Sequence, residues 1–379
     1  MNILINAFGV SNSGGVIVLE KISDEFSLNN KNNYIYICNN SKDILRLVNK
    51  YKSQDNFQFQ ILPNRNLLYR MYFENFIFKK IIKRHSIDLI YNFSGTRQLF
   101  IKTPQLNKVH NLLYYSKKLD NLYKLKYKYI LWIKHIFLKR LVFKFMLNRS
   151  EFVEIQSSHV KSCLLDFKVT GERQFYLKSD NDVSCRAFQA PKSYDFSKKI
   201  KFLYVVGPHF EHLHKNMEDF TKAMLALNDK GINFEINITL TSSQLCNSKV
   251  WDTSLNSKTN FIGYVNSKKA MMDLFCDNTI LISTSVIETL GLHVIDGIKN
   301  GIIIIAPDEK YANSVYGDKI FKYSLFNKDS LMSVIMDIIN YKSAHGEKIL
   351  SIQKQLRQSE SSKFRSILDV FDEVVNVQK

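Results

Sequence analysis

Residues 279–306, TILISTSVIETLGLHVIDGIKNGIIIIA, set the architecture of this chain. The stretch opens with an apolar run ending at Ser283 and passes through a loop holding Glu288 and Gly291. It continues as an amphipathic helix to about Asn300 and closes on a second apolar run, 302–306. Two strands joined by a crossover helix of this length pair in parallel, so the unit belongs to an α/β protein. The same alternation spreads outward. Residues 201–206, 233–240 and 260–262 read as further strands, with a helix over 218–230. In the first half, 3–7, 34–38, 57–62 and 88–93 read as strands, with helices over 16–27 and 66–85. Two Rossmann-like halves are expected, joined by the polar, non-periodic segment 178–200, which contains Pro191. A length of 379 residues is enough for two cores.

The charge is unevenly distributed. Lys and Arg number 53 against 35 Asp and Glu, a net +18; residues 1–200 hold 33 of the bases and 15 of the acids, leaving 20 of each for the rest. The first half alone therefore faces something anionic: a membrane surface, a diphosphate or nucleic acid. The surplus is densest over 117–149, where ten Lys or Arg accompany one acid, Asp120, with aromatic residues between them. On one continuous helix Lys124, Lys128, His135 and Lys139 would share a stripe, and Lys126, Arg140 and Lys144 another. That pattern suits a peripheral contact with an anionic leaflet; a core helix with snorkelling lysines is the other reading. Nucleic acid is not expected as a partner, because no binding module accompanies the bases. Residues 129–147 are interrupted by four charges, each costing about 2.5–3.5 kcal/mol at a bilayer centre, so they are not expected to span one. Five scattered cysteines without a Cys-x-x-Cys pair, and an opening strand without a basic leader, point to a cytoplasmic protein.

Chemistry concentrates at the loop after residue 283. The first amides of the helix beginning at Gly291 lack intrahelical partners and can hold a phosphate, approached closely where glycine has no side chain. Glu288 and Asp296 flank that helix start at different depths, as carboxylates that orient sugar hydroxyls would. Taken singly, they also read as a dipole-favoured acid and a solvated helix residue.

This segment resembles the donor loop of the retaining, family 4 type glycosyltransferases of the GT-B fold, which runs Ser-x-x-Glu-Gly-Phe-Gly-Leu-Pro-x-x-Glu-Ala with a later Gly before a buried strand. Ser285, Glu288, Gly291, Leu292 and Gly301 match; Thr289, Leu290, His293 and Asp296 depart. Tyr204-Val205-Val206-Gly207, followed by His209, His214, Lys215 and Asn216, resembles the family's strand, Gly, Arg and Lys-Asn segment, with His209 standing where the family has Arg. Phe261 and Gly263 resemble its Phe-x-Gly turn. Gly9 and Ser13-Gly14-Gly15 resemble its first glycine loop, His110 the histidine near the reacting sugar, and Gln156 to Lys161 the strand-to-helix segment before the linker.

The resemblance implies two Rossmann-like domains facing each other across a cleft. The expected divisions are 1–185 for an acceptor domain with a membrane-facing segment, 186–200 for a linker, 201–350 for a nucleotide-sugar domain, and 351–379 for a helix crossing back. Glu288, Lys215 and His110 would be catalytic. His209, His214, Asn216, Gly263, Thr289, Leu290, Gly291, Leu292, Asp296, Gly14 and Gly15 would bind the donor. The implied reaction moves a sugar, with retention, from a nucleotide diphosphate to a lipid-diphosphate-linked oligosaccharide on the inner face of the cytoplasmic membrane, in O-antigen or capsule synthesis. No metal or other cofactor is implied, since Lys215 and the helix start would meet the leaving diphosphate. A sugar-nucleotide epimerase of the same fold and a non-catalytic anionic-surface binder are the alternatives. Asp180-Asn181-Asp182 spells a metal-binding Asp-x-Asp but falls in the polar linker rather than after a donor-domain strand.

Overall fold

The computed structural model describes residues 1–11, 13–169, 173–180, 188–265, 267–327, 329–341, 345–360 and 366–377. The chain forms two compact units, one comprising Met1–Tyr115, Ile130–Asp180 and Lys363–Lys379, the other Ser116–Tyr129 and Asn181–Ser362. Residues 116–129 thus group with the second unit, and the chain passes from the first unit into the second after Asp180.

The first unit is built on a seven-stranded parallel sheet: β1 (Asn2–Ala7), β2 (Asn33–Asn39), β3 (Phe57–Leu62), β4 (Leu89–Asn92), β5 (Gln105–Val109), β6 (Phe152–Ile155) and β7 (Gln174–Leu177), in the order β3-β2-β1-β4-β5-β6-β7. Leu4, Ile35, Ile37 and Ile90 pack on one face against Phe73, Phe78 and Ile81. Covered strands of this kind read as unbroken apolar runs, which is why β1, β2 and β4 were legible in the sequence.

Of the strands the periodicity did not show, β5 to β7, the first two bury polar side chains. Asn92 of β4 pairs in register with Asn107 of β5. Asn6 Nδ2 donates to Asn92 Oδ1 at 3.1 Å, and Asn92 Nδ2 to Asn107 Oδ1 at 2.9 Å, forming an amide ladder across three strands. Elsewhere in the sheet the fully buried Lys108 Nζ donates to Glu154 Oε1 at 2.5 Å and to Asp180 Oδ1 at 2.9 Å, while the Tyr91 hydroxyl donates to Glu154 Oε2 at 2.6 Å. Each buried charge is thereby matched, as burial demands. Asp180, first residue of the Asp-x-Asp triplet, is therefore occupied by Lys108 and Gln156; Asn181 and Asp182 lie outside the described residues, as does Cys185.

The second unit has a six-stranded parallel sheet: β8 (Ile200–Tyr204), β9 (Phe234–Ile238), β10 (Thr259–Phe261), β11 (Thr279–Ile282), β12 (Ile303–Pro307) and β13 (Phe321–Tyr323), in the order β10-β9-β8-β11-β12-β13. Phe220, Met224 and Leu227 of the Met217–Asp229 helix cover one face; Val294, Ile295 and Ile298 of the Leu292–Lys299 helix cover the other. Gly297 brings the latter close, since a Cβ there would lie 2.8 Å from Ile304 Cδ1. The described part of the expected linker is fastened along this sheet: Gln189 N donates to Lys299 O at 2.7 Å, Lys192 N to Gly301 O at 2.8 Å, and Ile303 N to the Tyr194 hydroxyl at 2.6 Å. Gly301 serves this strap, because a Cβ on it would meet the Ala190 carbonyl oxygen at 2.3 Å.

The C-terminal residues divide between the units. His345–Glu360 is a helix of the second, while Ile367–Val377 packs in the first, with Phe371 against Phe26 and Tyr91 at ring separations of 5.8 and 5.2 Å.

The basic segment is not one helix. Lys117–Leu125 ends before Tyr127, which takes a left-handed φ of 53°, and Tyr129–Trp132 runs through a π turn, Ile133–Phe137, into Leu138–Leu147. The two lysine stripes expected of a continuous helix are therefore broken. The apolar side chains of Ile130, Leu138, Leu141 and Phe145 are exposed, so this stretch is not a core helix. A second π turn, Phe73–Ile77, interrupts the helix expected over 66–85. Among the described residues no helix is long and apolar enough to cross a membrane.

Candidate active site

In the second sheet the strand order reverses between β8 and β11, and the loops leaving the carboxyl ends of these two strands emerge side by side. Hydrogen bonds lock the loops together. Val286 N donates to His214 O at 2.7 Å, Thr284 Oγ1 donates to Lys215 O at 2.7 Å, and the Tyr204 hydroxyl lies 2.7 Å from Thr284 Oγ1. Lys215 Nζ is thereby delivered to Glu288, donating to Oε1 at 2.6 Å; the Ser285 hydroxyl donates to the same oxygen at 2.7 Å. The Tyr311 hydroxyl, donating to Ser285 O at 2.6 Å, fixes the loop from behind.

Burial would raise the Glu288 carboxyl, but Lys215, His293 and the two hydrogen bonds hold it down to about 2. Glu288 is thus an anion throughout the physiological range: it can accept hydrogen bonds from hydroxyls and cannot act as a proton donor. The neighbouring imidazoles shift the other way. Burial, with Lys215 nearby, lowers His214 to about 3 and outweighs Glu288; burial likewise lowers His293 to about 4. Both are neutral at pH 7.

Gly291 caps the Leu292–Lys299 helix with φ 57° and ψ 62°, a left-handed turn that glycine adopts without strain. The position is doubly restricted, because a Cβ there would lie 1.9 Å from the Tyr316 hydroxyl. The leading amides of the helix, at Leu292 and His293, have no intrahelical acceptor and carry the positive end of the helix dipole. A cation, a fixed carboxylate and a helix start thus converge at one point of the sheet. Such an arrangement can hold a diphosphate while a carboxylate receives hydroxyls.

The other candidates fall into place unequally. Thr289 and Leu292 are partly exposed beside this loop, whereas the Leu290 side chain is buried in the core, so only its main chain can face a ligand. Asp296 lies in the second turn of the helix, partly exposed, and its carboxylate makes no hydrogen bond or ion pair among the described residues. Asn216 caps the Met217–Asp229 helix in a left-handed turn, its amide donating to Asp219 Oδ2 at 2.6 Å. His209 is exposed, its ring 5.0 Å from that of His212. Gly263 turns the chain after β10 with φ 74°. His293, which the sequence marked only as a departure from proline, lies within electrostatic reach of Glu288 and is neutral at pH 7.

Gly14, Gly15 and His110 belong to the first unit. Gly14 opens onto empty space, while a Cβ on Gly15 would lie 3.3 Å from Val10. His110 follows β5, 5.6 Å from the Phe93 ring, and is lowered to about 4 by burial and by Lys108. Sequence motifs missed Arg70, which lies over Gly9 at the reversal point of the first sheet, between β1 and β4. Its helix position gave no local sign of this.

No protein-family model and no curated protein matches the chain. Solved structures do match over its full length. Sucrose-phosphate synthase from Thermosynechococcus elongatus superposes with a TM-score of 0.66 at 12% identity, covering 100% of this chain and 97% of that one. HepE of Anabaena, solved with UDP-glucose, gives 0.63 at 13% identity over 100% and 99%. A Listeria monocytogenes protein assigned as a UDP-N-acetylglucosamine 2-epimerase gives 0.56 at 10% over 94% and 90%. The chain has the GT-B fold, an architecture shared here by a sucrose-phosphate synthase and by a protein of epimerase description.

Proposed function

We propose that the protein is a glycosyltransferase that takes a sugar from a nucleotide diphosphate. The observation that carries this reading is the Lys215 Nζ to Glu288 Oε1 contact of 2.6 Å, placed where the second sheet reverses and beside the Gly291 helix start. Lys215 and the Leu292 and His293 amides meet the diphosphate, whose charge grows as the sugar departs. Glu288, ionised and fixed by Ser285, receives the sugar hydroxyls; Asp296, with a free carboxylate among the described residues, is placed for the ribose. Transfer proceeds with retention, the departing phosphate assisting attack on the same face, and needs no metal because a lysine and a helix start meet the charge.

The acceptor is taken to be a lipid-diphosphate-linked glycan at the inner face of the cytoplasmic membrane, in surface-polysaccharide synthesis. Support for the membrane comes from the basic bias of the first 200 residues and the exposed Ile130, Leu138, Leu141 and Phe145. An interfacial helix buries such side chains among acyl chains and sets its lysines against anionic headgroups.

A thermal-shift panel of UDP-, GDP- and dTDP-sugars tests the donor, since a ligand at 100 times its Kd adds about 2.7 kcal/mol of stability. Glu288→Ala and Lys215→Ala should keep the fold and abolish transfer; activity near wild type in either would defeat the site. Turnover of donor with no acceptor present would favour an epimerase, and NMR of the product anomer checks retention.

A further inference from the structure

The first unit holds a second preorganised site, at the carboxyl ends of β1 and β4. Arg70, on the Leu67–Tyr72 helix, lays its guanidinium where a side chain of residue 9 would stand: a Cβ on Gly9 would lie 1.8 Å from Nη1. Its Nε faces Glu74 Oε1 at 3.3 Å. Glu74 is fully buried and accepts from Asn6 Nδ2 at 3.0 Å, so the anchor is tied to β1 itself. Gly9 N donates to Ser94 Oγ at 2.8 Å, joining the loops that leave β1 and β4. The arginine is therefore held from below, and its side chain is 12% exposed. Nη1 and Nη2 have no hydrogen-bonding partner among the described residues. With Nε turned to the Glu74 carboxylate as an ion pair but not hydrogen-bonded to it, the outer edge is the planar Nη1–Nη2 fork that carboxylates and phosphates fit. His110 and Tyr114 lie within reach of its charge.

A purely structural arginine would tie its helix to the sheet with all its donors, and would not require the neighbouring loop to lack a side chain. Here the free edge and the bare Gly9 surface coincide. We infer that Arg70, held by Glu74 over Gly9, binds an anionic group, phosphate or carboxylate, on the acceptor. This rests on the transferase reading above for the word acceptor, and on geometry alone for the anion.

The test titrates glucose 6-phosphate, glucuronate and glucose by NMR against the wild-type chain, Lys215→Gln, Arg70→Gln and Gly9→Ala. In Lys215→Gln, where the diphosphate site is disabled, at least one of the anions should still bind and glucose should not. Binding of glucose 6-phosphate alone identifies a phosphorylated acceptor; binding of glucuronate identifies an acidic sugar. Arg70→Gln should weaken the anion at least tenfold. Gly9→Ala, which crowds out the guanidinium without removing its charge, should do the same and covers the case in which Arg70→Gln does not fold. Equal anion binding by the Arg70 and Gly9 variants and the wild type, or binding of glucose as tight as that of the anions, would overturn the proposal. Nucleotide-sugar binding by Arg70→Gln separates the two readings. If no form of the protein binds a nucleotide sugar while anion binding still depends on Arg70, the transferase reading falls and the anion site stands.

Discussion

Replacing Lys215 by Met removes the cation that holds Glu288 ionised, and its energetic effect follows from the site geometry. The carboxyl sits at about 2 instead of its ordinary 4.5, a difference equivalent to about 3 kcal/mol at neutral pH. Lys215 and Glu288 keep 26% and 17% of their side-chain surface exposed, so solvent screens part of this, and a pairwise coupling of about 1–3 kcal/mol is expected at pH 7.5. The sign is set by the depressed carboxyl. Its contribution is complete above 4.5 and is lost as the pH falls towards 2, so at pH 3 no more than about half should remain. The assay is urea unfolding through a double-mutant cycle of Lys215→Met and Glu288→Gln. Two units need not unfold together, so the cycle is run in a Trp132→Phe background, where Trp251, buried in the second unit's core, is the only tryptophan reporter. A coupling below about 0.3 kcal/mol at pH 7.5, or one that does not shrink at pH 3, would refute the electrostatic account of the site.

Gly291→Ala must place a methyl against the Tyr316 hydroxyl in a left-handed turn; a loss of at least about 1 kcal/mol in thermal unfolding is expected, with weaker nucleotide binding, and Tyr316→Phe should recover part of it. Lys108→Met strands Glu154 and Asp180 inside the first unit and should cost about 3–5 kcal/mol; a loss under about 1 kcal/mol in denaturant unfolding would show that the cluster is solvated. Replacing Ile130, Leu138, Leu141 and Phe145 by Ser should lower binding to phosphatidylglycerol vesicles at every salt concentration, whereas raised salt should weaken the wild type, as sedimentation with vesicles would report.

The core strands of both sheets could be read because a strand covered on both faces writes itself as a continuous apolar run, and the glycine and acids of the donor loop lie close together along the chain. Strands β5 and β6 escaped because their buried side chains include Asn107, Lys108 and Glu154, which become acceptable inside only when matched by residues from other strands. Helical breaks at Tyr127 and at the two π turns escaped as well, since apolar spacing continues through them.

Sequence alone determined the parallel α/β architecture, the location of the charge surplus and the loop from Ser285 to Gly291, because each depends on neighbours within a few turns of chain. Only the tertiary structure decided that Lys215 meets Glu288 and that Arg70 lies over Gly9. Those pairs depend on which strands stand side by side where each sheet reverses, and strand order is settled by the packing of whole sheets rather than by any local run of residues.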